Sequence, residues 1–437
     1  MKKNHHFLKS SLFKKLLLVV LLLVIGVIGL FLNYKNALPF KKQVPENKYM
    51  TFMDEVYSTI LDNYWEKISD EQLGEIYILA AEKLTGQPQN LKTKDRESVR
   101  KMLNKIISQE ESADKKKEFA VSVSDIVLAN LKPFSRSRLY TQKMEKDLQN
   151  NVNNINPDIN HYENLEVKKE ASADGIKKAF KEKSALWNPE TNKSPEAEEK
   201  YEEVQQAYKI LGDQANRKTY DISGAEPTMN YKLVRSDIFY VHVKKFSPTT
   251  VEELDRVAKK TDSKQGVDIL ILDLRDNVGG AIDGLVYFLG PFIGIDQYAY
   301  QFFHQDEKED FKTKTGWLPS LVRYKKVVVL INSGAQSSAE VMAATLKKYN
   351  VGVLVGEKTK GWGTVEKVFP LENQIDEFEK HSMFLVHSLT LREDGQPIEG
   401  NGVEPTIDIN NTDWKKQLFS YFHYDELANA VEEVWKE

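Results

Sequence analysis

Two aliphatic runs, Val267 to Leu274 and Val327 to Ile331, most constrain what this chain can fold into. Nearly continuous apolar stretches of this length suit strands buried on both faces rather than strands with one wet side. Around them, Ile238 to Val243 alternates like a strand, and Thr250 to Lys260 reads as a helix opened by Ser247 and Pro248. The C-terminal half is therefore expected to be α/β. The second run leads into Ser333, Gly334, Ala335, Gln336, Ser337 and Ser338, and then into Val341, Met342, Ala344 and Leu346 at helical spacing. A serine at a strand-to-helix junction has its hydroxyl near free backbone N–H groups and the positive helix end. It can be a nucleophile or an N-cap, and this stretch alone leaves both readings open. The first run ends in Arg275-Asp276-Asn277-Val278-Gly279-Gly280. Adjacent glycines there either bring N–H groups up to a ligand or mark an ordinary turn.

Composition narrows the rest. A net charge of −4 and no long basic face argue against nucleic acid as a partner. The absence of cysteine excludes disulfides, thiolate metal sites and cysteine lipidation. The eight histidines show no metal spacing and no phosphate loop occurs, so neither metal nor cofactor is expected. His242, within a strand, reads as structural. At the N-terminus Lys2, Lys3, Lys9, Lys14 and Lys15 precede the apolar residues 16–32, about the length that spans a bilayer. This is a signal peptide or an anchor. No small-x-small cleavage site follows, which favours an anchor with its basic stub in the cytoplasm and residues 40–437 outside it.

The chain is accordingly divided into a stub, anchor and linker (1–45), an N-terminal helical region (46–150), a small helical domain (158–224), an α/β core (228–410) and a C-terminal helical segment (411–437). Phe52, Val56, Ile60 and Tyr64, then Leu73, Ile76, Leu79, Ala80 and Leu84, recur at helical spacing in the second division. Residues 131–141 read as a turn leading into a helix at Gln142 to Leu148. In the third division Ile176, Ala179, Phe180 and Leu186 lie on one face, and Tyr201, Val204, Ala207, Tyr208 and Leu211 on another, as in a helical hairpin.

That hairpin resembles the J-domain of DnaJ co-chaperones. His161 to Val167 is similar to its opening Y-x-x-L-x-V, Ile176 to Phe180 to its basic second helix, and Glu203 to Tyr220 to its A-Y-x-x-L-x-D...R-x-x-Y-D ending. The loop departs from it. Where the family has His-Pro-Asp, needed to stimulate a DnaK-type ATPase, this chain has Asn188, Pro189 and Glu190. Asn cannot replace a histidine cation and Glu extends its carboxylate one methylene further. The unit is expected to be a J-like spacer or protein-binding module, with a chaperone ATPase not expected as a partner.

The C-terminal half, with the N-terminal helices, resembles the tail-specific, or carboxyl-terminal processing, serine peptidases. Asp273 to Gly280 is similar to that family's D-L-R-N-N-P-G-G, Ser333 to Glu340 to its serine turn, and Val355 to Glu366 to V-G-E-x-T-F-G-K-G-x-V-Q. Gly395 to Pro405 is similar to G-x-x-I-x-G-x-G-I-x-P-D, and 133–148 to the segment containing D-P-H-S-x-Y-L. The resemblance implies an α/β core of the crotonase or ClpP type, beside an all-α N-terminal region, an all-α J-like domain and one N-terminal transmembrane helix. It implies Ser337 as nucleophile, and the N–H groups of Gly279 and Ser338 as oxyanion hole. It also implies protein or peptide tails as partners. Oligomeric state is not implied.

The general base departs from the pattern. A Ser-Lys peptidase needs a desolvated, neutral lysine within reach of the hydroxyl. The matching position is Trp362, whose indole N–H cannot accept a proton, and the supporting glutamine is Glu366. The aromatic and the lysine have changed places, giving Lys360-Gly361-Trp362. If that segment is extended, residues two apart share a face and Lys360 could reach the same place. The expectation is a degenerate, peptide-binding member, with an active enzyme using Lys360 as the alternative. The family's usual PDZ domain is also missing, its place being taken by the J-like unit.

Overall fold

The computed structural model describes residues 47–437. The apolar run 16–32 lies outside the described residues, and among those residues no helix is long and apolar enough to cross a membrane.

Four helices open the described chain: α1 (Lys48–Asn63), α2 (Asp70–Thr85), α3 (Arg96–Gln109) and α4 (Ala113–Ala129). Phe52, Val56 and Ile60 of α1 are fully buried, as their spacing requires. Helix α2 begins with a Ser69–Gln72 capping box and ends at Gly86 in the left-handed region, where glycine carries no Cβ penalty. Its inner face is Leu73, Tyr77, Ala80 and Ala81, and Leu79 and Leu84 point outward instead of joining it. The charged stretch before residue 125 is helical because Val99, Met102, Leu103, Ile106 and Ile107 give α3 a continuous apolar face beneath its lysines.

The expected turn at 131–141 ends in a strand, β1 (Arg138–Thr141), paired antiparallel with Phe384 to His381 of β10 (His381–Leu391). Its partner lies 240 to 246 residues away, so nothing local announces it. Helix α5 (Gln142–Val152) follows. The J-like unit comprises α6 (His161–Asn164), α7 (Ala173–Leu186), α8 (Ala197–Leu211) and α9 (Gln214–Ser223). Tyr162, Leu165, Ile176, Val204, Ala207 and Ile210 form its core, and the rings of Phe180 and Tyr208 stack at 3.9 Å. Leu186 stays exposed. The unit is fastened to the α/β core through Asp213, which pairs with Arg256 at 3.3 Å and Lys260 at 3.6 Å, and through Asn216, which accepts from Arg256 at 2.7 Å.

The core contains two sheets. The larger has six strands in the order β11 (Ile407–Asp408), β8 (Val353–Gly356), β7 (Lys326–Ile331), β4 (Ile269–Asp273), β3 (Ile238–Val243) and β2 (Met229–Leu233). All neighbours are parallel except β2 with β3. Helix α10 (Thr250–Ala258) connects β3 to β4, and α11 (Ser338–Lys348) connects β7 to β8. Alternate residues fill two separate cores. Phe239, Val241, Leu270, Leu272, Val329 and Ile331 face one side. Tyr240, Ile269, Ile271, Val328 and Leu330 face the other, under α12 (Trp414–Phe422) and α13 (Asp425–Lys436). Burial on both faces is why β4 and β7 read as continuous apolar runs.

The second sheet is antiparallel and built on β10. Residues 381–384 of β10 pair with β1 and 389–391 with β5 (Tyr298–His304), while β9 (Thr364–Pro370) runs along 382–389. A charged strand, β6 (Glu307–Lys312), extends the sheet beyond β5. Met383 and Leu385 of β10 enter the same cluster as α1 to α4, which seats the N-terminal region against the core.

Candidate active site

The site is assembled where β4 and β7 end. Asp273 is fully buried; it accepts from the Tyr240 hydroxyl at 2.7 Å and pairs with Arg275 at 2.6 Å, and Arg275 also reaches the carbonyls of Val434 and Trp435. This acid is structural: it holds the end of β4 against the last helix. Asn332 joins the two strand ends, donating to Asp276 at 3.0 Å and accepting from the Asp276 N–H at 2.9 Å.

On this frame Ser337 directly precedes α11 with φ 56° and ψ −123°. Ser69, Ser112 and Ser172, which cap other helices, all have the extended backbone usual for an N-cap. Ser337 instead occupies a conformation that costs a non-glycine residue about 1–3 kcal/mol. Such a turn projects the hydroxyl out of a strand–helix junction, as in a nucleophile elbow. Gly279 packs directly beneath it: a Cβ added there would lie 2.7 Å from Ser337 Cβ and 3.1 Å from its Oγ. Of the two expected oxyanion donors, Ser338 presents the first N–H of α11, which has no acceptor within the helix. Its hydroxyl donates to Gly280 O at 3.1 Å. The Gly279 N–H donates to Asn277 Oδ1 at 2.8 Å, so an oxyanion there would have to take that hydrogen from the asparagine.

Glu340 is the residue whose importance the sequence reading missed. It is fully buried, and its carboxylate accepts from Thr359 Oγ1 at 2.6 Å and from the N–H groups of Gly361, Trp362 and Ser337 at 2.7, 2.8 and 2.9 Å. Burial pushes its carboxyl above the usual range against these bonds. A single side chain thus fixes the serine turn to the loop that should carry the base. A second tie runs from the Ser337 N–H to Trp362 O at 3.1 Å. The available signal was the acid three residues after a serine at a helix start.

Residues 357–363 form no strand, and Gly361 has φ +79°. The premise that Lys360 and Trp362 alternate along an extended segment therefore fails, because a left-handed residue between them breaks the two-residue repeat. Lys360 is exposed, with its Nζ 5.1 Å from the Trp362 ring centroid. Trp362 is half-buried under Arg136, whose Cζ lies 3.3 Å from that centroid. Arg136 Nη2 donates to Glu399 at 3.1 Å, and Glu399 also accepts from the Gly363 N–H at 2.8 Å. Glu366, in β9, is pushed up by burial, while the hydrogen bond from Thr364 (2.6 Å) and the nearby Arg136 charge oppose the rise. Arg136 and Glu399 gave no sequence signal, since the contacts of Arg136 with Trp362 and Glu399 join segments distant in the chain. His242 bonds Arg275 O at 3.1 Å, in keeping with a structural role.

In the J-like unit, Asn188 Oδ1 accepts from the Glu190 N–H at 2.9 Å, and Asn188 O accepts from Thr191 and Asn192 at 3.0 and 2.7 Å. The asparagine side chain is spent on its own turn. Pro189 O accepts from Lys193 at 2.7 Å.

Comparison with known proteins matches residues 237–409 to the family described as "Peptidase family S41" and residues 160–221 to "DnaJ domain". A probable CtpA-like serine protease of Staphylococcus epidermidis is 31% identical over 195 residues, covering 44% of this chain and 38% of that protein. A carboxy-terminal-processing protease of Bartonella bacilliformis is 29% identical over 178 residues, covering 40% and 39%. The chaperone protein DnaJ of Streptococcus mutans is 50% identical over 64 residues, covering 15% and 17%. The chain thus spans well under half the length of each of these relatives.

Proposed function

Residues 237–409 belong to peptidase family S41 and residues 160–221 form a DnaJ domain, and from that premise we propose a membrane-anchored, extracytoplasmic protein that holds protein or peptide tails at Ser337 and cleaves them weakly or not at all. What supports this reading is the setting of Trp362, the residue matched to the family's lysine: its ring lies under Arg136, while Lys360 is exposed. An exposed lysine lacks the burial on which a Ser-Lys site relies. Losing a positioned general base typically slows acyl transfer by about 10²- to 10⁴-fold. The strained serine, the glycine pair and the Glu340 anchor support a cleft retained for binding.

An active enzyme using Lys360 is the second reading, favoured by the 5.1 Å between its amine and the Trp362 ring. Full-length protein in detergent micelles, offered an unfolded fluorescent substrate and a tailed peptide, separates the two. Binding with turnover within about tenfold of Ser337→Ala supports the first reading. Turnover about 10²-fold or more above Ser337→Ala, and lost in Lys360→Ala, replaces it with the second. A co-chaperone role is set aside because Asn188 and Glu190 lack the cation and the reach of the signature loop. The anchor and orientation are tested by protease shaving of intact cells, where protection of residues 47–437 would overturn them.

A further inference from the structure

Among the described residues, Arg136 has a side chain only 17% exposed, one ion-pair partner, Glu399 at 3.1 Å, and a buried Nη1 without a hydrogen-bond partner. A buried guanidinium with an unmet donor is costly. What it does make is a face contact with Trp362, Cζ to ring centroid 3.3 Å, and the planar guanidinium suits such stacking where an ammonium does not. The chain is held on both sides of it: the Ser135 N–H donates to Ala129 O at 2.8 Å, and the Ser137 hydroxyl accepts from the Val386 N–H at 3.0 Å. Glu399 braces the group from the far side while holding Gly363, the residue after the indole.

We propose that Arg136 is the positioning residue that holds Trp362 in the base position, so that a contact delivered by the N-terminal region keeps Ser337 silent. This rests on the reading of Trp362 as occupant of that position. The latch joins three segments: the chain entering β1 supplies the clamp, the loop at 399 braces it, and the loop at 362 is clamped. Freed of the guanidinium, the indole loses the planar surface against which it is packed.

The test uses the full chain, with Trp362 emission isolated by subtracting a Trp362→Phe counterpart of each variant. Arg136→Ala should increase acrylamide quenching of Trp362 and accelerate fluorophosphonate labelling of Ser337 by roughly 3- to 30-fold, the range a desolvated cation–π contact is worth. Arg136→Lys, which keeps the charge without the planar stack, should restore less than half of the protection. Wild-type quenching and labelling in a folded Arg136→Ala protein would overturn the latch. Should that variant fail to fold, Glu399→Gln removes only the brace and should move both readouts in the same direction; unchanged readouts there overturn the latch too. Ser337-dependent cleavage by the unmodified protein would overturn the functional reading and with it the silence of Ser337, whereas the quenching of Trp362 in Arg136→Ala tests the clamp on the indole by itself.

Discussion

Glu340→Gln is the perturbation that most directly probes how the site is built. Each carboxylate oxygen accepts two hydrogen bonds: Oε1 from Thr359 Oγ1 and the Gly361 N–H, and Oε2 from the N–H groups of Ser337 and Trp362. An amide of the same shape keeps one oxygen and turns an NH₂ group toward two donors, whichever way it is flipped. Two charge-assisted bonds at about 1.5–3 kcal/mol each are lost, or about 3–6 kcal/mol together. Relief of the carboxylate's own burial cost, visible in its raised pKa, returns part of that. The expected net destabilisation is about 3 kcal/mol, or a midpoint lowered by about 6–12 °C for a unit of this size. Urea unfolding followed by far-UV circular dichroism reads it as a shift in midpoint at unchanged slope. A change below about 0.5 kcal/mol would refute the argument that this one side chain joins the serine turn to the base loop.

Two further outcomes are expected. Trp362→Lys with Glu366→Gln places an amine next to Arg136, whose charge and desolvation both favour the neutral form; Ser337-dependent peptide hydrolysis should rise at least about 10²-fold over wild type, and no rise would mean that more than the base has been lost. At the junction of the J-like unit and the core, burial and the Lys244 charge push Lys209 down from 10.5 to about 8. The unfolded chain then binds more protons between about pH 8 and 10.5, so stability should rise with pH across that window and level off above it. Lys209→Met should abolish the rise, as read by urea midpoints at each pH.

What the sequence disclosed, and what it withheld, follows from the range of the interactions. The runs that became β4 and β7 were legible because burial on both faces leaves an unbroken apolar signature. The helices of 48–86 were legible from their four-residue spacing, although Leu79 and Leu84 proved exposed because the face of α2 is set by packing against α4 rather than by local pattern. Strand β1 was not legible, since four residues acquire extended pairing only from β10. In the site, Ser337, Gly279 and Trp362 could be named from local motifs. The extended segment expected to place Lys360 is broken by the left-handed backbone of Gly361, which spacing alone does not disclose. Arg136 matters only through contacts across more than 200 residues of chain, to Trp362 and Glu399.

The hydrogen bonds around Glu340 bear on how a site of this kind can change its use. Three of the four donors it holds are backbone N–H groups and the fourth is Thr359 Oγ1. None depends on the side chain at position 362. The loop from Thr359 to Gly363 is therefore placed against the serine turn whichever residue stands there, with Glu399 fixing Gly363 by its backbone as well. Under the function proposed above, exchanging a lysine for an indole at 362 would leave these bonds in place, and the new ring would need only a partner, which Arg136 supplies. Catalysis and architecture would then be separable, because the backbone of the site is held by Glu340 independently of the side chain at 362.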